Sequence, residues 1–321
     1  MKTEVVKSLA RECGFELAGI APASPLPEAA WYLEWVRRGM AAGMAYLTGH
    51  RAALRADPRT LLASARSIIC VGKLYNTPEP YSTGFPDSGR AWISRYAWGK
   101  DYQGVVRAGL KRLAGKLSNL SPQPFEWRIS VDTAPLLERA YARRAGLGWI
   151  GKNSCLINQR QGSWFFLGEL LVSLDIDADS APPGRCGTCR RCIDACPAGA
   201  IVPAGSPGEP AFTVDSRRCI SYLTIEHRGA TPEALRAAVG RNVFGCDICQ
   251  DVCPWNRRAA ITGDPAFAPV RFAPPLDYLA GLGEEEFRQV FAGSAIRRCG
   301  YGGLMRNVAV AAGNREARMK K

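Results

Sequence analysis

Eight of the twelve cysteines lie between Cys186 and Pro254, and this array limits the possible folds more than any other feature of the chain. The first group runs from Cys186 to Pro197 with the spacing C-x2-C-x2-C-x3-C-P, and the second runs from Cys246 to Pro254 with the spacing C-x2-C-x3-C-P. A single Cys219 stands between them. Thiolates at this spacing bind three corners of one iron–sulfur cubane, while a fourth cysteine followed by proline reaches a second cluster. The array therefore predicts a ferredoxin-like domain with two 4Fe-4S clusters.

The crossing pattern assigns four thiolates to each cluster. Cys219 completes the second set because it is the only cysteine of the array left to supply a fourth ligand. The predicted ligands are Cys186, Cys189, Cys192 and Cys253 for cluster 1, and Cys196, Cys219, Cys246 and Cys249 for cluster 2. Zinc is the alternative, since C-x2-C pairs also build tetrahedral zinc sites. A zinc ribbon, however, needs only four cysteines and gives no reason for the terminal Cys-Pro.

The chain is strongly basic, with 42 Lys and Arg against 29 Asp and Glu and a formal net charge of +13. The last 25 residues, 297–321, concentrate this charge. They hold Arg297, Arg298, Arg306, Arg315, Arg318, Lys320 and Lys321 against the single acid Glu316. Such a segment attracts phosphate backbones, although basic residues can also serve solubility alone.

Composition and hydropathy are those of a globular protein without a membrane span. No apolar run approaches the length that a spanning helix needs. The first twelve residues interleave charged and apolar positions, which predicts an amphipathic helix and not a signal peptide. Because disulfides do not persist in a reducing cytosol, this many cysteines in such a chain indicate metal or redox chemistry. We expect a cytoplasmic, monomeric protein.

Hydrophobic patterning predicts an α+β chain of three regions: 1–178, the cluster domain 179–256 and a basic helical region 257–321. Buried strands are predicted near 67–72 and 163–174, where short β-branched or aromatic runs occur. Predicted helical segments are 31–37, 61–65, 101–118, 133–145, 283–291 and 304–312.

The segment 131–154 is the richest candidate for a second site. Gly146-Leu-Gly148-Trp-Ile-Gly151 matches G-x-G-x-x-G, but a dinucleotide-binding fingerprint follows a strand and opens a helix. Here the motif closes a helix predicted to begin near Asp132, so a C-capping glycine and a turn are favoured. For Asp132 itself the residues leave two roles open, a helix N-cap or a proton donor.

Three segments and the cysteine array together closely resemble the epoxyqueuosine reductase family. They are Asp132-Thr-Ala-Pro-Leu-Leu-Glu-Arg-Ala140, Ala145-Gly-Leu-Gly-Trp-Ile-Gly-Lys-Asn153 and Cys219-Ile-Ser-Tyr-Leu-Thr-Ile-Glu226. The resemblance implies an amino-terminal cobalamin-binding reductase domain of nitroreductase-like fold, as in corrinoid reductive dehalogenases. It also implies reduction of the epoxide of epoxyqueuosine to queuosine at the wobble position of tRNA. Electrons would pass through two 4Fe-4S clusters to cobalamin, with Asp132 as the proton donor.

The same resemblance implies further site residues and partners. Segments expected to line the cobalamin pocket contain Arg55, Arg95, Asp132, Lys152, Asn153, Ser154, Ser221, Tyr222 and Leu223. The implied partners are tRNA with a GUN anticodon and an electron donor such as flavodoxin or ferredoxin. Two alternatives stay open: a corrinoid reductive dehalogenase acting on a small organohalide, and a ferredoxin-type electron-transfer protein.

Overall fold

A computed structural model describes residues 1–85, 89–205 and 210–320. Its α-helices are α1 Thr3–Glu12, α2 Glu28–Arg37, α3 His50–Leu54, α4 Tyr102–Leu120, α5 Glu138–Arg144, α6 Arg191–Asp194, α7 Ile220–Ile225, α8 Glu233–Val239, α9 Ile248–Asp251, α10 Leu276–Ala280, α11 Glu284–Val290 and α12 Gly300–Met319. Its strands are β1 Leu17–Pro22, β2 Ser67–Leu74, β3 Trp92–Ile93, β4 Trp127–Ser130, β5 Trp149–Ile150, β6 Leu156–Ile157, β7 Phe165–Val172, β8 Ile201–Pro203, β9 Phe212–Val214 and β10 Asn242–Phe244.

The chain divides into two compact units, each assembled from several stretches of sequence. The first unit contains Met1–Leu74, Tyr102–Thr188 and Arg258–Ala260. The second contains Tyr75–Asp101, Cys189–Arg257 and the chain from Ile261 onward. The predicted regions 1–178, 179–256 and 257–321 are continuous, whereas each unit here also recruits distant segments.

The first unit is built on an antiparallel sheet with the strand order β1-β2-β7-β4. Successive side chains of a strand point to opposite faces, and every residue of the central strand β2 is buried. Ile68 and Cys70 face a cluster that includes α5 residues such as Tyr141. The other face packs against α4, which approaches so closely that a Cβ at Gly168 would lie 2.5 Å from Val106 Cγ1. Helices therefore cover both faces of the sheet.

The second unit has a core of aromatic and aliphatic side chains around the parallel pair β3 and β10. Trp92 and Trp98 meet edge to face at 5.7 Å between ring centroids, and α12 packs against β10, α7, α8 and α10. The short strands β8 and β9 pair antiparallel. The predicted α+β class is confirmed by the two units together.

Most predicted elements are present, including the amphipathic α1 and the strands β2 and β7. One helix prediction is wrong, and a second places the start of its helix too early. Residues 61–65 instead form turns that lead from the 3-10 turn Pro58–Thr60 into β2. The helix predicted from Asp132 begins instead at Glu138, since Pro135 disfavours helical backbone at the residue before it. Among the described residues, no helix is long and apolar enough to cross a membrane.

Candidate active site and cluster ligands

Asp132 lies in the first unit, on the loop that joins β4 to α5. Its φ is +61°, a left-handed conformation that costs a non-glycine residue on the order of 1 kcal/mol and must be held by its surroundings. Its amide donates a hydrogen bond to Glu138 Oε1 at 2.5 Å, and Gln103 Nε2 donates to Asp132 Oδ2 at 2.6 Å. The side chain is nevertheless exposed. Asp132 is thus not a helix cap, because α5 begins only at Glu138. The two hydrogen bonds fix the orientation of an accessible carboxyl group.

Two arginines at α3 support this region in different ways. Arg51 Nη2 donates to the carbonyl of Thr133 at 2.9 Å and so tethers the residue after Asp132. Arg55 is buried, its guanidinium donates to the carbonyl of Arg51 at 2.9 Å, and it lies 5.7 Å from the centroid of the Tyr32 ring. Burial lowers the pKa of Arg55. Sequence reasoning selected Arg55 and missed Arg51, since one basic residue in this helix gives the same signal as another.

A pair of carboxyl groups lies behind the Asp132 loop. Glu169 of β7 is fully buried and pairs in register with Cys70 of β2 and Ser130 of β4. Burial, and then the neighbouring charge of Glu138, raise the pKa of Glu169 well above its ordinary value. Burial also raises the pKa of Glu138 to about 7. Neither glutamate was singled out from the sequence.

The predicted residues 152–154 form a turn between β5 and β6. Lys152 Nζ donates to the carbonyl of Gly187 at 2.7 Å. Asn153 is buried, and its Oδ1 accepts from the Cys155 amide at 3.2 Å. Ser154 has a φ of +62°, and its carbonyl accepts a hydrogen bond from Arg139 Nη1. The first unit therefore contains Arg55, Asp132 and the 152–154 turn, and the α5 residue Arg139 fixes that turn.

The glycine motif of this region has the structural role that its context predicted. Gly146, with a φ of +80°, follows the last turn of α5, and its amide donates to the Arg143 carbonyl at 3.0 Å. A Cβ at Gly148 would lie 2.2 Å from the Ile157 carbonyl oxygen, so only glycine fits beside β6. The motif ends a helix and leads into β5, which is the reverse of a dinucleotide-binding turn.

Arg95, in the second unit, is almost completely buried. Its guanidinium donates to the carbonyls of Thr77, Glu79 and Pro80 and to the Thr77 hydroxyl at 2.8–3.1 Å. It also stacks on Trp98, 4.5 Å from the ring centroid. These contacts hold the backbone of residues 77–80. The Arg95 guanidinium, which was predicted to contact a cofactor, therefore binds backbone carbonyls of its own unit.

Three of the four ligands predicted for cluster 2 are electrostatic neighbours in the second unit. Burial raises the pKa of the Cys246 thiol well above its ordinary value, and Cys219 and Cys196 contribute to the same rise. Burial likewise raises the pKa of Cys219, while amide hydrogen bonds from Tyr222 and Ser221 act in the opposite direction. Ser221 and Tyr222, predicted as cobalamin contacts, thus direct their backbone amides at Cys219, a predicted cluster ligand. The carbonyl of the buried Leu223 accepts a hydrogen bond from Arg306 Nη2 at 2.8 Å.

The basic carboxy-terminal residues differ sharply in their environments. Arg306 donates to the carbonyls of Leu223, His227 and Gly229 and to Asn307 Oδ1. Arg298 pairs with Asp101 at 3.1 Å, and Arg315 pairs with Asp277 at 2.7 Å. Arg297, Arg318 and Lys320 are exposed, and Lys321 lies outside the described residues. The part of this charge that faces solvent is therefore smaller than the sequence indicates.

No three His, Cys, Asp or Glu side chains in the described ranges converge on a site for a single metal ion. The cysteine array matches the model of the 4Fe-4S double cluster binding domain over residues 185–256, and residues 55–133 match the model described as "Epoxyqueuosine reductase QueG, DUF1730". The match across the whole array favours two clusters over zinc.

Curated relatives and solved structures extend these matches over nearly the whole chain. The epoxyqueuosine reductase of Xanthomonas campestris pv. campestris is 41% identical over 317 residues, covering 96% of this chain and 86% of the relative. A crystal structure of epoxyqueuosine reductase with an epoxyqueuosine-modified tRNA-Tyr stem loop gives a TM-score of 0.86 at 28% identity, covering 98% of this chain and 81% of the other.

The Bacillus subtilis epoxyqueuosine reductase, solved with its catalytic aspartate loop swung out of the active site, gives a TM-score of 0.84 at 27% identity, again covering 98% and 81%. The fold and the cysteine array define an iron–sulfur oxidoreductase with two 4Fe-4S clusters. Within that class, the chain belongs to the epoxyqueuosine reductase family.

Proposed function

We propose that this chain reduces the epoxide of epoxyqueuosine to queuosine in tRNA, with Asp132 as the proton donor. The observation that carries this role is the exposed Asp132 carboxyl on a loop held from both sides by Gln103 and Glu138. The reaction breaks both carbon–oxygen bonds of the epoxide, forms a carbon–carbon double bond and releases water. It consumes two electrons and two protons. Because alkoxide is a poor leaving group, a positioned acid accelerates the opening of the ring.

The residues present fit the two kinds of cofactor that this reaction requires. Partly buried thiols that influence one another electrostatically, with amide groups directed at them, suit a cluster, because hydrogen bonds to the sulfurs tune its potential. In the first unit, the turn of Lys152, Asn153 and Ser154 is bonded to Arg139 near the start of α5. Its side chains offer a cation, an amide and a hydroxyl, a set that suits the amide-bearing rim of a corrin. Bound cobalamin would supply the strongly reducing centre, and the clusters would be its source of electrons.

The substrate is a nucleotide within tRNA, so affinity must come largely from contacts to phosphates. The relative solved with a tRNA stem loop supports a tRNA partner for this chain. Arg297, Arg318 and Lys320 are the carboxy-terminal cations that we propose contact the phosphates, because they are exposed. A wobble nucleotide in a GUN anticodon is accessible to an enzyme, since single-stranded loops can present unstacked bases.

The electron donor is proposed to be a small acidic protein such as flavodoxin or ferredoxin. A groove of about 510 Å³ in the second unit is lined by Arg191, Asp194, Ala195, Asp251, Val252 and Arg257. Arg191 and Arg257 are exposed, and α6 and α9, which contribute to the groove, carry or adjoin the cluster cysteines. Opposite charge at such a surface accelerates encounter between redox partners. We propose that the protein acts as a monomer in the cytoplasm.

The test is an anaerobic turnover assay. The cluster-loaded protein, with and without cobalamin, is incubated with epoxyqueuosine-containing tRNA and a strong reductant. The tRNA is then digested to nucleosides, whose masses are measured by mass spectrometry. Cobalamin-dependent loss of one oxygen is expected. No conversion by protein that holds both clusters and corrin would favour a small-molecule reductase, and failure to bind corrin would favour an electron carrier.

The matched variant for the acid is Asp132→Asn, which keeps the shape of the side chain and removes its transferable proton. It should retain iron and cobalamin content and lose turnover. A near wild-type rate in that variant would disprove the role of Asp132.

A further inference from the structure

The proton chemistry of the first unit extends beyond Asp132 to the pair of carboxyl groups behind its loop, of which Glu169 is fully buried. Glu169 points from β7 to the face of the sheet that α5 covers, beside Cys70 and Ser130. Within the described chain, neither of its oxygens accepts a hydrogen bond of normal geometry, and its polar neighbours are the Glu138 carboxyl and the Ser130 hydroxyl. A buried carboxylate without strong donors is costly, so this environment favours a protonated Glu169.

Glu138 connects that buried carboxyl to the loop. It begins α5, and its Oε1 accepts the hydrogen bond of the Asp132 amide at 2.5 Å. A charged acceptor makes this kind of bond roughly twice as strong as a neutral one. Asp132 also has a positive φ, which the chain adopts only when its surroundings hold it. The ionised form of Glu138 is therefore the form that best holds the loop as it is seen.

We propose that Glu138 is a positioning residue that holds the Asp132 loop in place through the Asp132 amide. We further propose that the neighbouring Glu169 carboxyl shares a proton with Glu138. The loop opens rarely when Glu138 is ionised and opens more often when Glu138 takes up a proton. The catalytic consequence rests on the proposed function, since it matters only if Asp132 is the donor. The relative from B. subtilis, whose catalytic aspartate loop is swung out, supports a loop with two positions.

The charged groups around Glu138 set the pH range of this change. They are Asp132 on the loop, Glu169 on β7, Arg139 on α5, Arg55 after α3 and Cys70 on β2. Burial is the largest cause of the rise in the pKa of Glu138 to about 7, and the charge of Asp132 adds to it. The Asp132 amide hydrogen bond, the hydrogen bond with Glu169 and the charge of Arg139 oppose the rise. Because the two glutamates interact, they titrate as a pair. The loop should therefore become firmer as the pH rises through about 7.

The test is hydrogen–deuterium exchange of the peptide that contains residues 131–137, measured anaerobically on the cluster-loaded protein without tRNA. Protection factors, corrected for intrinsic exchange, should rise several-fold between pH 6 and pH 8. Glu138→Gln should remove this rise and lower protection at pH 8 about tenfold, because a neutral acceptor replaces a charged one. Glu4→Gln, at an exposed glutamate of the same unit, is the matched control and should leave the profile unchanged.

Glu169→Leu keeps the proposal testable if Glu138→Gln does not fold. Removing the second carboxyl should shift the midpoint of the protection profile to higher pH by about one unit, since the hydrogen bond with Glu169, which lowers the pKa of Glu138, is lost. In turnover, Glu138→Gln should lower kcat about tenfold and leave KM for tRNA unchanged, because Glu138 contacts the loop and not the substrate. A flat wild-type profile, or a midpoint in Glu169→Leu that stays the same or falls to lower pH, would overturn the proposal. Since exchange needs no substrate, this result is independent of whether epoxyqueuosine is reduced.

Discussion

Gln103 Nε2 donates a hydrogen bond to Asp132 Oδ2 over 2.6 Å and joins the first turn of α4 to the loop that follows β4. This bond directs the carboxyl, whereas the bond from the Asp132 amide to Glu138 fixes the backbone. The two contacts involve different atoms of Asp132, so each can be removed separately.

We expect Gln103→Leu to lower kcat about tenfold while KM for tRNA stays near its wild-type value. The carboxyl would lose the hydrogen bond that directs it, and misplacement of a catalytic group by about 1 Å can cost two orders of magnitude in rate. Steady-state kinetics with epoxyqueuosine-containing tRNA is the measurement. Gln123→Leu, at an exposed residue near the start of β4, provides the control. Equal kcat in the wild type and Gln103→Leu would show that the bond does not direct the acid.

Glu138 and Glu169 together should make the stability of the protein fall as the pH rises. The folded-state pKa of both Glu138 and Glu169 is above the ordinary value of 4.5, so above that pH the folded chain holds more protons than the unfolded chain. The free energy of unfolding then decreases with pH up to and beyond about 7. Glu169→Gln should flatten this slope, measured as Tm from pH 5 to pH 8. A shift of about 1 kcal/mol corresponds to roughly 2–4 °C for domains of this size.

If Tm falls with pH equally in the wild type and in Glu169→Gln, Glu169 does not hold the extra proton of the folded chain. Glu12→Gln is the control, because Glu12 pairs with Lys116 at the surface. Its effect on the slope should be small, as is usual for exposed ion pairs.

Arg306 and Arg297 should separate a structural arginine from one that contacts tRNA. Arg306→Gln removes a guanidinium that three backbone carbonyls share, and leaving such acceptors without a donor costs about 1–3 kcal/mol. We expect a lower Tm for this variant. Arg297→Gln should leave Tm unchanged and reduce the slope of log K against log salt by about 1, as for one lost phosphate contact.

Filter binding of tRNA at several salt concentrations, together with thermal unfolding, distinguishes the two roles. Arg37→Gln, at an exposed arginine that pairs with Glu34 in the first unit, serves as the control for the salt slope. An unchanged slope in Arg297→Gln would remove this residue from the tRNA-binding surface.

The cluster ligands could be proposed from the sequence because the signal is local: most of the cysteines lie a few residues apart, and their spacing alone indicates a cubane. The supports of Asp132 could not. Gln103, Glu138 and Glu169 lie on α4, α5 and β7, and they meet only through the order and register of the sheet. Charge gave the least reliable indication, since the sequence does not distinguish Arg95 and Arg306, which bind backbone carbonyls, from the exposed Arg297.

Cys219 gives the sharpest test of the cluster assignment, because it stands outside both motifs and was assigned by elimination. Cys219→Ser should lose cluster 2 and keep cluster 1, leaving about half of the iron and acid-labile sulfide, since each cluster takes four thiolates. The Ser221 and Tyr222 amides directed at this thiol support the assignment. Cys155→Ser, at a half-buried cysteine outside the array, is the control and should keep the full iron content. Full iron content in Cys219→Ser would mean that cluster 2 takes its fourth ligand from elsewhere.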